Sequence, residues 1–76
     1  MIQQIPLSNL NYGTQAKITQ INGGCELIHR LTEMGLTIGT TIKVVSDAIG
    51  GPIVIEVRDS RLALGRGVAT KIYVEQ

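Results

Sequence analysis

The chain has 76 residues, 43% of them hydrophobic, with nine glycines, two tyrosines, no tryptophan and no phenylalanine. That length suits one domain, residues 1–76, with a small aliphatic core, and the composition argues against disorder. Seven Lys/Arg against six Asp/Glu leave a net charge of +1. The cations are scattered from Lys17 to Lys71, without the clustered footprint that nucleic acid binding requires.

From the N-terminus, Met1 to Pro6 has neither a basic region nor an apolar run of leader length. Pro6 can open one helical turn through Leu10, and Gly13 then breaks the chain. Between Ala16 and Ile21 the residues alternate at strand period, and Asn22-Gly23-Gly24 is a turn signal. Cys25 to Met34 is the one clear helix. Leu27, Leu31 and Met34 share its apolar face, with Ile28 flanking, and Gly35 suits a left-handed cap at its end. The expectation is that Leu27, Leu31 and Met34 pack on the core.

Thr40 to Ser46 and Ile53 to Arg58 alternate again and read as a hairpin around the glycine-rich loop Asp47 to Pro52. Asp59-Ser60 reads as a turn. Leu62 and Leu64 mark a short strand ended by Gly65, and Ile72 and Val74 a final one. The fold class is therefore mostly β, a small barrel of about five strands with one helix inserted after the first. Closure spares so small a sheet its exposed edges. The longest apolar runs, such as Ile53-Val54-Ile55, fall far short of a membrane span, so any work at a membrane passes through a partner.

Chemistry is sparse. The chain has no nucleophile elbow, phosphate loop or paired metal motif, and Gly65-Arg66-Gly67 reads as a turn. The chain is not expected to be an enzyme or to require a cofactor. Its single cysteine, Cys25, excludes an internal disulfide and any one-chain zinc site built on two thiolates; a free thiol suits the cytosol. On a helix His29 lies roughly 40° and Glu33 roughly 80° round from Cys25, a polar stripe turned away from the apolar face. Cys25 and His29, one turn apart, can reach one metal ion together, whereas Glu33 lies about 12 Å from Cys25 along the axis. Two ligands make half a site, so adventitious zinc or another divalent metal shared between molecules is the expected occupant, not resident iron.

For a partner, Ile49 offers an apolar anchor on a glycine-flexed loop, and Arg61 and Arg66 offer guanidinium groups suited to carboxylates. A groove for proline-rich peptides needs more aromatics than Tyr12 and Tyr73.

In order along the chain, Leu7, Leu10 and Gly13, then Arg30-Leu31-Thr32-Glu33-Met34-Gly35-Leu36, then Gly39 resemble the pattern of the FeoA family. Gly51-Pro52-Ile53, Ser60 to Arg66, Ala69 and Ile72-Tyr73-Val74 continue it over almost the whole chain. Gly67 departs from the polar or acidic residue common there, so the turn before Ala69 is expected to be less helical. The resemblance implies an SH3-like barrel. It also implies a cytoplasmic accessory of bacterial ferrous iron uptake that binds the FeoB transporter, with its G-protein domain, and modulates its assembly or GTPase-coupled transport. At most weak homo-oligomerisation is expected beside that partner. Two alternatives stand next to this reading. One is the SH3-like C-terminal module of a metal-dependent transcriptional repressor, which would normally be joined to a DNA-binding domain not read here. The other is a small metal chaperone resting on Cys25 and His29 alone.

Overall fold

The computed structural model describes residues 4–47 and 51–76. Along the chain run β1 (Gln4–Pro6), a 3-10 turn (Leu7–Asn9), β2 (Gln15–Ile21) and α1 (Cys25–Glu33). They are followed by β3 (Thr41–Asp47), β4 (Ile53–Val57), β5 (Ser60–Leu64), α2 (Arg66–Ala69) and β6 (Ile72–Glu75). All pairings are antiparallel, in the order β1-β6-β2-β3-β4-β5. The SH3-like class and the place of the helix after the first long strand are as expected. Two short elements are additional. β1 is a sixth strand of only three residues, and Arg66–Ala69 forms a helical turn despite Gly67.

Alternation along the strands decides what is buried. In β4, Ile53, Ile55 and Val57 are buried while Val54 and Glu56 are half-exposed. Ala16 and Ile18 of β2, Ile42 and Val44 of β3, Leu64 of β5, and Ile72 and Val74 of β6 join them in one aliphatic cluster. The cluster also takes Leu7 and Leu10 from around the 3-10 turn, Leu31 and Leu36 from the helix region, and Ala69 from α2. One sheet can enclose such a core only by curling on itself.

Two register shifts help it to bend, as an extra residue in one strand does. Thr19 is the extra residue of β2 against β6, and Val45 that of β3 against β4. After Thr19 the inward phase moves by one, so Ile21 and not Gln20 packs against the core.

The end of α1 explains the run from Arg30 to Leu36. Met34 is the cap, the Gly35 N–H donates to Thr32 O at 3.0 Å, and the Leu36 N–H donates to Leu31 O at 2.8 Å. This is a Schellman motif, whose second bond closes a 6→1 ring and whose C′ residue needs left-handed backbone. Gly35 supplies it, with φ +87°. The motif sets Leu31 and Leu36 in apolar contact range, and both are buried, at 2% and 0% exposure. Here the expectation for Met34 is corrected. As the cap residue, at the very end of the helix, it stays 40% exposed, while Leu36 takes the core place. Leu27 is only half-buried and Ile28 is 39% exposed.

Backbone bonds outside the ladders hang α1 on the barrel. The Asn22 N–H donates to Lys71 O before the helix, and the Gly39 N–H donates to Ile18 O after it.

Candidate interaction surface

Cys25 is the first residue of α1, preceded by Gly24 as N-cap, and its thiol is exposed. One turn on, the His29 imidazole Nε2–H donates to Glu33 Oε1 at 2.8 Å, with both side chains largely in solvent, 75% and 67% exposed. The stripe exists as expected, but His29 is engaged forward along the helix with Glu33. Among the described residues no three of His, Cys, Asp and Glu gather as metal ligands would.

The partner-binding candidates fall in three places. Ile49 lies outside the described residues. Arg61 is exposed on β5, with Nε 3.7 Å from Glu56 Oε2 on β4. Arg66 opens α2 and is half-buried.

Two features were missed by sequence reasoning. Across the outer sheet face Gln15, Lys43, Glu56 and Arg61 stand in register on four successive strands. Tyr12, Lys43, Glu56 and Arg61 border one shallow hollow there, and Lys43, Glu56 and Arg58 border its neighbour. The alternation in each strand marks these residues as outward, but their lateral order comes from pairing between strands. Arg58 holds φ +56° at the first position of the two-residue loop joining β4 to β5. The turn therefore lies at Arg58-Asp59, one residue before its expected place, because Ser60 already pairs with Val57.

The second feature is a hollow of about 160 Å3 between α1 and the β5–α2 junction. Leu27, Leu31, Met34, Ala63, Leu64 and Val68 give it an apolar floor, and Arg30 stands on its rim. It brings together the stretch Leu27 to Met34 and the stretch Ala63 to Val68, distant in the chain, which no local pattern discloses.

No helix among the described residues is long and apolar enough to cross a membrane. The fold defines a small SH3-like barrel with an inserted helix. The FeoA domain family model matches residues 5–76, and the chain belongs to that family.

A protein of Methanocaldococcus jannaschii named for Fe(2+) transport, as transport protein A, is 39% identical over 70 residues, 92% of this chain and 84% of that one. A fusion of Fe(2+) transport protein A with the Fe(2+) transporter FeoB, from Porphyromonas gingivalis, is also 39% identical over 70 residues. The match takes in 91% of this chain but only 8% of the fusion. Among solved structures, an iron uptake regulatory protein, FeoA, superposes with a TM-score of 0.86 at 38% identity, covering 95% of each chain. A manganese-dependent transcriptional repressor gives 0.90 at 15% identity, covering all of this chain and 43% of the repressor. The likeness to the repressor is one of fold alone. The family and its link to ferrous iron transport are thus the ones the sequence pattern implied.

Proposed function

We propose that this chain is a cytoplasmic accessory of ferrous iron uptake that binds the FeoB transporter and modulates its assembly or its GTPase-coupled transport. The observation that carries the reading is the Porphyromonas gingivalis relative, in which a domain 39% identical to this one shares a polypeptide with the transporter. Fusion keeps two partners at high effective concentration, and separate chains need a binding surface to achieve the same end. The exposed Lys43, Arg58 and Arg61 of the sheet and the apolar hollow beside Met34 are the material for such a surface. The reading requires no cofactor and no turnover by the chain itself.

The test is a binding measurement between the full chain and the cytoplasmic portion of the organism's ferrous transporter, with GTP analogue, with GDP and without nucleotide. Saturable association in at least one state is expected, together with a change in the transporter's GTP turnover or its assembly. Absence of association in all three states, or nucleotide hydrolysis by the isolated chain through stringent purification, sinks the reading.

A further inference from the structure

The two ends of the sheet are unlike. β1 is three residues long and ends in Pro6, and proline and shortness both blunt an edge against pairing. β5 is five residues long and contains no proline. Its ladder is with β4, and no backbone hydrogen bond among the described residues occupies its other side.

The register tells which groups lie there. A two-residue loop is closed by a pair that exchanges both hydrogen bonds, here Val57 and Ser60. Bonded pairs then alternate, so Leu62 and Leu64 bond to β4, while the N–H and C=O of Arg61 and Ala63 point away from it. The side chains of Arg61 and Ala63 are exposed as well.

Beside the C-terminal half of this edge lies the hollow floored by Met34, Leu27 and Val68, with Ala63 and Leu64 on its near side. A row of main-chain groups without a partner among the described residues, next to an apolar hollow, is the layout used for strand addition, where the backbone supplies affinity and a pocket supplies specificity. Two cations stand beside it. Arg30 borders the hollow and Arg61 stands on the edge strand itself. Arg61 is near Glu56, but that contact is a single one at 3.7 Å on an exposed guanidinium, which has further N–H groups to offer.

We propose that the free edge of β5 takes an extended acidic segment of the transporter partner, which adds as a seventh strand and sets one apolar side chain into the hollow by Met34. The segment's main chain pairs with Arg61 and Ala63, and its carboxylates meet Arg30 and Arg61. A second copy of this chain is the poorer occupant, since pairing two β5 edges brings two arginine-bearing strands together. This inference rests on the transporter-binding reading and adds to it the site and the chemistry of the bound segment.

The experiment uses the full chain against the transporter's cytoplasmic portion, with two variants. Ala63→Pro removes the outward N–H and leaves the β4 ladder intact, a place where an edge strand tolerates proline. Met34→Asp puts a charge in the hollow at a residue already 40% exposed. Each is expected to weaken binding by about tenfold or more, the scale of a lost anchor. Hydrogen exchange at Arg61 and Ala63 should slow in the wild-type complex, and Arg30→Ala should lower the association rate and its salt dependence.

Wild-type affinity in Met34→Asp, with exchange at Arg61 and Ala63 unchanged on binding, overturns this inference and leaves the transporter reading standing. Failure of the wild type to bind overturns both. A wild-type dimer that Ala63→Pro makes monomeric, with transporter affinity unaltered, gives the edge to a second copy and overturns the stated occupant.

Discussion

Helix α1 has two faces that the fold treats in opposite ways. The inner face and the residues that close it, Leu31 and Leu36, lie in the aliphatic core and are fixed by the two bonds of the Schellman cap. The outer face carries Cys25, His29 and Glu33 in solvent, joined only by one exposed imidazole–carboxylate contact. The helix is anchored by its end and its inner stripe, and its outer stripe is open to change. The residues richest in coordination chemistry therefore carry the least structural weight.

The sharpest way to break this contrast is to truncate the inner face. Leu31→Ala and Leu36→Ala are each expected to cost about 2–5 kcal/mol, as truncations of buried side chains, read by denaturant midpoint at unchanged slope. A cost near zero at either position would mean that α1 is not pinned where the burial places it. Next comes the cap. Gly35→Ala forces a β-carbon into left-handed backbone at φ +87° and should cost about 1–2 kcal/mol. The space beside Gly35 is open, so the loss would come from the backbone and not from a clash. Met34→Ala sharpens the comparison with its neighbour: at 40% exposure it should cost less than about 1.5 kcal/mol, below the range of a buried truncation. Equal costs at Met34 and Leu36 would contradict the assignment of the core place to Leu36.

Met34 also shows how far the sequence could be read. Helical periodicity put it on the apolar face, correctly by angle, but angle does not tell where a helix stops. The pattern Leu31, Gly35, Leu36 contains the stop, since a glycine after the last turn followed by a leucine is the composition of a Schellman cap. The strand alternation from Thr41 to Val57 was legible because one face of each strand meets the core. β1 and α2 were not, being too short to show a period. Both are held by tertiary contact: β1 by pairing with β6, and α2 by the burial of Ala69. For the surface, Arg61 could be picked from the sequence as a cation near a turn. Its alignment with Lys43 and Glu56, and the hollow between Met34 and Val68, could not, because they depend on strand order and on where α1 comes to rest.

The smallest expected effect belongs to the outer stripe. His29 donates to Glu33 one turn ahead, and an exposed pair at that spacing contributes only about 0.3–0.5 kcal/mol. His29→Ala should therefore shift stability by no more than that, and double substitution with Glu33→Ala should add little. If either costs as much as Gly35→Ala, the two faces are not the opposites described above. The same variant tests the metal chemistry of the stripe. Cys25 and His29 present a thiolate and an imidazole one turn apart on an exposed surface, which is half of a tetrahedral zinc site. The missing half must come from elsewhere, and a second molecule's Cys25 and His29 would complete a set of four. Zinc is thus expected to raise the apparent mass of the wild type in sedimentation, and to leave both His29→Ala and Cys25→Ser monomeric. Ferrous iron, which prefers imidazole and carboxylate over a lone thiolate, should bind weakly by calorimetry. A tight one-to-one ferrous complex that disappears in His29→Ala would reverse the comparison, making the outer face of α1 the functional one.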